Sequence, residues 1–296
     1  MTGFMTFLKN RLRYSFYVIY LTAVSLCLLY FLFPEKVVKN HIKKRAETIF
    51  PTTITEIEKV SPSIFPPGVG IDSVDIFESG NPLIRLDFLG IYPQLSSVFS
   101  KFESSYNFYG KAFGGTIEGT YKESLPRNTL EHILLARFKD MSIPGIPALE
   151  KYSVFNMSGI LDGQMSFTVQ RDLEADLNIS LSNGKIALNS IYTGQITFFF
   201  KRLDSVITLK DSVLNIMQCH LHGKDMDITL SGKILSTWPM VNSSLDLTGF
   251  INPHHAFLKK AENRVLGNLF PDKKADDKGF SFIITGTFDK PVFVWN

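Results

Sequence analysis

His220 and His222 are the residue types best able to do chemistry at close quarters. On an extended strand their one-residue spacing sends both imidazoles to the same face about 6.6 Å apart, where two nitrogens can share a zinc ion. A third ligand would have to come from Cys219 or Asp225, yet Cys219 points to the opposite face of a regular strand and no compact Cys/His spacing accompanies the pair. The plainer reading is two solvent-facing histidines without metal. His254 and His255 stand at the start of a helical pattern, where a proton opposes the positive end of the helix dipole, which makes them poor switches. Asp225 with Asp227, and Asp276 with Asp277, are near enough to share acid and base work but read as solvent-facing strand and loop residues.

The usual devices of enzymes are missing from the sequence. No G-x-S-x-G elbow, H-E-x-x-H, G-x-x-x-x-G-K-[ST] or G-x-G-x-x-G occurs, so nucleophilic, metallopeptidase, ATPase and dinucleotide chemistry lack their usual signatures. Asn156-Met157-Ser158, Asn178-Ile179-Ser180 and Asn242-Ser243-Ser244 fit the glycosylation pattern but read as turn and strand-edge residues. The expectation is a protein that is not an enzyme and has no cofactor, with no catalytic or metal-binding residue to name. With 31 Lys plus Arg against 28 Asp plus Glu, the net charge of +3 is not a nucleic-acid signature, and no nucleic-acid partner is expected. The two cysteines, Cys27 and Cys219, lie far apart, the first in an apolar run, so no disulfide framework is expected.

The informative residues are apolar. They make up 45% of the chain and include 26 Phe, too many to leave in water when burying one Phe is worth about 1.5–3 kcal/mol. Beyond Pro51 they recur with period two, most clearly at Leu173, Ala175, Leu177, Ile179 and Leu181, each separated from the next by a polar residue. That is the signature of strands with one oily and one wet face. The same alternation at several other places predicts roughly a dozen strands, too closely spaced for the helices that parallel crossovers need. The turn pairs Ser79-Gly80, Asp162-Gly163, Asn183-Gly184 and His222-Gly223 imply antiparallel neighbours, with Asn183-Gly184 the strongest hairpin signal. The apolar face must be buried against itself, a second sheet or lipid. If an acyl chain is the ligand, the groove would include Phe198, Phe200, Ile228, Leu230, Phe280 and Phe282, which serve equally well as ordinary core.

The elements that position this face begin with residues 14–33, twenty without a charge, read as an uncleaved transmembrane helix rather than a signal peptide. The basic residues on its far side leave orientation open by charge count, and an arm inside the cytoplasm is adopted. Residues 34–50 form an amphipathic linker helix whose lysines can touch anionic head groups or whose apolar side can pack on the first strands. Pro66-Pro67-Gly68 with Gly70 makes a bend before a strand at Ile71. Helices are expected over 253–270 and over 125–138, where the same leucines could also form a strand. The resulting organisation is a short cytoplasmic arm (1–13), a transmembrane helix (14–33), the linker (34–50) and a periplasmic β-rich domain (51–296).

Several segments together resemble the type II secretion system protein N family and, more broadly, AsmA-like envelope proteins. They are Phe33-Pro34, Ser61-Pro62-Ser63 leading to Gly70-Ile71-Asp72-Ser73-Val74, Gly114-Gly115 with Gly119, Ser158-Gly159 with Leu161 and Gly163, and Ile284-Thr285-Gly286-Thr287-Phe288-Asp289-Lys290-Pro291. The resemblance implies a mainly β protein with a single N-terminal transmembrane helix and an extended, curved antiparallel sheet carrying one or two short packing helices. It implies a non-enzymatic, single-pass component of the bacterial inner membrane associated with type II protein secretion, the bulk of its chain in the periplasm. The implied partners are other inner-membrane or periplasmic secretion components and membrane lipids. The alternative is an AsmA-like lipid-binding or lipid-transfer module of the envelope, with a phospholipid or other acyl-chain ligand in a groove.

Overall fold

The computed structural model describes residues 2–49, 53–78, 80–98, 100, 102–125, 130–147, 156–170, 172–190, 194–237, 242–254 and 279–296. Two helices lead the chain, α1 (Thr2–Phe31) and α2 (Glu35–Ile49). Then come β1 (Thr53–Ser63), β2 (Gly68–Glu78) and β3 (Asn81–Pro93), the single-turn helix α3 (Leu95–Val98), β4 (Glu103–Ala112), β5 (Gly115–Ser124) and β6 (Glu131–Ser142). After a 3-10 turn at Ile143–Gly145 follow β7 (Asn156–Val169), β8 (Leu173–Ser190), β9 (Gly194–Lys210) and β10 (Val213–Gly223). The last four strands are β11 (Met226–Leu235), β12 (Ser244–Pro253), β13 (Phe280–Thr287) and β14 (Pro291–Trp295).

The fourteen strands among the described residues form one sheet whose spatial order is the sequence order, each antiparallel to the next. Chain reversals with two positive-φ residues make this meander possible. Phe113 and Gly114 (φ 53 and 77) join β4 to β5, and Asp211 and Ser212 (φ 50 and 64) join β9 to β10. Such pairs match the right-handed twist of the flanking strands. Gly80 (φ 79) lies between β2 and β3, and Gly223 ends β10, as their turn-forming pairs suggest. Asn183 does not make a hairpin: with φ 50 it sits inside β8, beside a register shift against β7. Asp162-Gly163 is likewise interior to β7, paired with Ser180 and Ile179.

Packing follows the same sequential logic. The substantial contacts between elements join neighbouring strands, with α2 on β1, the 3-10 turn on β7 and α3 on β4 as additions. No second sheet lies on the first among the described residues. The best-buried cluster, Ile57, Val60, Ile71 and Val74, sits at the β1–β2 end, where Phe33, Val38 and Ile42 pack on it. The apolar side of the linker helix therefore faces the sheet.

Two expectations change, and a third lies largely outside the described residues. Residues 131–142 form a strand, not part of a helix over 125–138. Leu130, Ile133 and Leu134 have helical spacing, but Leu134, Ala136 and Phe138 also alternate, and with β5 and β7 on either side the strand satisfies its backbone on both edges. The helix expected over 253–270 falls largely on 255–278, outside the described residues; Pro253 ends β12. The single-pass fold is also corrected, because among the described residues no helix is long and apolar enough to cross a membrane. Lack of charge is not the same as apolarity: Tyr14, Ser15, Tyr17, Tyr20, Thr22, Ser25 and Tyr30 place hydroxyl groups throughout the 14–33 run.

Candidate functional site

Because directly opposed residues on antiparallel strands share a face, the register traces the surface of the sheet row by row. One row of direct partners, one per strand, runs from Pro62 on β1 through Phe108, Met165, Leu177 and Leu247 to Phe293 on β14. No member is charged. At about 4.8 Å per strand the row is roughly 60 Å long. A parallel row contains Tyr106, Tyr121, Leu134, Phe167, Leu209 and Ile234. Tyr106, Tyr121, Leu134, Phe167 and Leu209 are half-buried although no second layer covers them among the described residues.

The opposite face is wet. Its corresponding row reads Tyr109, Glu118, Arg137, Gln164, Asn178 and Val206. Two open hollows lie there, of about 870 Å³ and about 450 Å³, sharing Arg137, Gln164 and Asn178 in their lining. Glu118, Arg137, Asp176, Asp204 and His220 give these hollows groups that water hydrates. The central row of the apolar face has no charged member, and it is the surface whose composition calls for a ligand.

A repeated steric device flattens that face. Four register pairs oppose a glycine to a phenylalanine: Gly119 to Phe108, Gly163 to Phe138, Gly184 to Phe200 and Gly249 to Phe282. A Cβ on these glycines would lie 2.6, 2.5, 2.0 and 2.2 Å from a carbon of the facing ring. The missing side chain leaves room for each ring to lie down over its neighbour strand, the arrangement by which aromatics shield sheet glycines.

Four of the six residues proposed for a groove fall on two adjoining rows of one face: Ile228 and Phe280 both oppose Ile251, and Leu230 and Phe282 both oppose Gly249. Phe198 and Ile228 pack with Met226 and Ile251. Phe200, 4% exposed, packs with Ile143 and Leu181. Leu230 packs on Ile234, Leu245 and Leu247. Phe280 and Phe282 meet Trp295 edge-on at ring centroid distances of 5.9 and 6.2 Å, and Phe282 stacks on Phe293 at 5.0 Å. The six leave out the β4–β7 part of the face, where Tyr106 alternates with Phe108 and Met165 with Phe167.

The histidines fall elsewhere. His220 opposes Asp204 and Thr229 on the wet side, while Cys219 opposes Ser205 and Leu230. Burial pushes the Cys219 thiol pKa up, against a lowering hydrogen bond involving Ser205. Among the described residues no group of three or more His, Cys, Asp or Glu side chains is placed to hold a metal ion. Asp227 brings together two histidines that are distant in sequence. Its Oδ1 is 3.6 Å from His222 Nδ1 and its Oδ2 is 3.1 Å from His254 Nε2, while His254 Nδ1 lies 3.0 Å from the Lys224 carbonyl oxygen. With an acceptor at each ring nitrogen, His254 is held as a double donor, and the Asp227 hydrogen bond followed by that to Lys224 raises its pKa. Partial burial pushes Asp227 upward, but the His254 hydrogen bond and charge outweigh it and leave the carboxyl below its ordinary range. His254 is therefore a titrating clasp, contrary to the expectation of an inert residue at a helix start.

No protein-family model, curated protein or solved structure matches this chain.

Proposed function

We propose that the sheet is a non-catalytic binding surface whose apolar face takes the acyl chain of an amphiphile. The observation that carries this reading is the uncharged row spanning the fourteen described strands, over which no second layer lies among the described residues. An acyl chain suits such a surface because it has no hydrogen bonds to satisfy. An extended peptide laid on a sheet face would leave its amides unpaired there, at a cost of several kcal/mol each when dehydrated. Kinship with the type II secretion system protein N and AsmA-like groups is proposed on the sequence segments alone. A role as an anchored inner-membrane secretion component, or as an envelope lipid-transfer module, is not retained, since among the described residues no helix is long and apolar enough to cross a membrane.

The test is extraction of the purified full chain with organic solvent, followed by mass spectrometry and by titration of the delipidated protein with a fluorescent C16 fatty acid, a probe of roughly membrane-lipid chain length. Acyl chains should be recovered above a control protein. Met165→Glu, on the apolar row, should weaken the titration at least about tenfold, while Gln164→Glu, one residue away on the wet face, should leave it unchanged. No extracted acyl chains and no saturable binding would overturn the reading.

A further inference from the structure

The wet face carries a row of side chains that the fold itself leaves unused. Arg137, Gln164, Asn178, Val206 and Gln218 are direct register partners on the five successive strands β6–β10. At about 4.8 Å per strand the row is roughly 19 Å long, and all five residues are exposed. Among the described residues the side chains of Arg137, Gln164, Asn178 and Gln218 make no hydrogen bond or ion pair, and Arg137 stays apart even from Glu118, its register partner on β5. The neighbouring carboxylates are already engaged. Asp162 Oδ1 accepts from the Asp140 amide at 2.9 Å, Asp176 Oδ2 from Ser166 Oγ at 3.3 Å, and Asp204 Oδ1 from Arg202 Nε at 2.8 Å. What the row presents outward is therefore amide and guanidinium: Gln164, Asn178 and Gln218 each offer donors and an acceptor, and Arg137 offers donors alone. Apolar surface lies among them, with Val206 38% exposed within the row and Leu135 48% exposed beside Arg137.

We infer that this row binds an uncharged oligosaccharide laid across strands β6–β10. Three features select that ligand. The hollows over the row are lined by Arg137 and Lys139 against Glu118, Asp162, Asp176 and Asp204, an acidic balance that repels polyanions and so disfavours nucleic acid and anionic head groups. Each sugar hydroxyl is both donor and acceptor, as a primary amide is, and a sugar ring has a C–H face framed by hydroxyls, which suits Val206 standing in register between Asn178 and Gln218. The hollows are also open, so hydroxyls turned away from the protein stay in water. An extended peptide would instead need pits for its side chains and partners for the amides it brings to the floor. The row lies on the opposite face from the acyl row, and neither ligand depends on the other.

The experiment presents the fluorescently labelled full chain to an array of neutral and acidic oligosaccharides, from disaccharide to octasaccharide, with a set of extended peptides alongside. Titration calorimetry then follows the sugars that are retained. Neutral sugars should bind saturably, with an affinity that rises with length and levels off once the row is filled. Asn178→Ala and Gln218→Ala should each weaken binding about fivefold, the change expected for one net hydrogen bond. The thermal midpoint should stay unchanged in both, because both side chains are exposed and unpaired. Lys233→Ala, exposed on the same face but outside the hollows on β11, should leave sugar binding as it is. Retention of no sugar, of acidic sugars alone or of peptides in preference to sugars, or an equal loss from Lys233→Ala, would overturn the inference.

Discussion

Replacing Gly249 with alanine should destabilise the protein, and the sign is the point. A glycine-to-alanine change at a compatible strand position ordinarily stabilises by roughly 0.5–1 kcal/mol, because the unfolded chain loses freedom. At Gly249 no positive φ opposes the change, but the new Cβ would sit 2.2, 2.6 and 2.7 Å from three ring carbons of Phe282. Phe282 is 4% exposed and stacks on Phe293, so its ring yields only by giving up burial. Overpacking of this kind costs about 1–3 kcal/mol, which leaves a net loss of up to about 2.5 kcal/mol after the entropic gain. Phe282→Ala alone should cost about 3–5 kcal/mol. With the ring absent, adding Gly249→Ala should be neutral or stabilising, giving a coupling of about 2 kcal/mol in the double-mutant cycle. Urea unfolding followed by circular dichroism measures all four corners, provided the slope is constant. A stabilised Gly249→Ala, or an equal effect with and without the Phe282 ring, would refute the idea that these glycines exist to seat rings.

Other consequences are open to direct measurement. The Asp227–His254 clasp predicts a stability plateau: the raised His254 pKa gives stabilisation that is complete below the ordinary histidine value and fades as pH rises through the folded value. The lowered Asp227 pKa gives stabilisation present above the ordinary carboxyl value and lost as pH falls through the folded one. Thermal midpoints between about pH 2 and 9 should therefore dip at both ends, and His254→Gln should flatten the alkaline limb. Glu35→Ala leaves the Val60 amide without its acceptor and should cost about 1 kcal/mol; hydrogen exchange should quicken at β1 with little change at β8. A maleimide should label Cys27, which is exposed, well before Cys219, whose thiol burial disfavours as thiolate. Equal labelling of the two in the folded chain would contradict the placement of Cys219.

Much of the sheet was legible because its faces are written in period two. Leu173 to Leu181 alternates without a break, and its partners on β7 and β9 alternate in step, so pattern and pairing agree. Local reading failed where one stretch satisfied two periods. Leu130, Ile133, Leu134 and Phe138 fit a helix and a strand equally well, and the ladders offered by β5 and β7 decided between them. It failed again at Asn183-Gly184, where tolerance of positive φ was used for an irregularity inside β8 rather than a chain reversal. The clasp was invisible because Asp227 and His254 meet only through the pairing of β11 with β12, where Met226 opposes Pro253. The six groove residues were selected for their aromatic and aliphatic density; the sequence held no information that Phe200 and Phe282 lie over glycines on adjacent strands.

The sequential order of the sheet bears on how a ligand would act. Each strand touches its two neighbours and little else, so the architecture is nearly one-dimensional, with stability approximated by strand terms and nearest-neighbour interfaces. In such a chain a perturbation at β1 reaches β12 only through every interface between them. An acyl chain laid across the strands changes this, since it touches rows that the backbone couples only in series. The two ends of the sheet differ in the same terms: α2 gives β1 a second set of contacts, whereas among the described strands β14 pairs with β13 alone, through five residue pairs. The physics of the fold thus places the weakest strand-to-strand interface among the described residues at β13–β14.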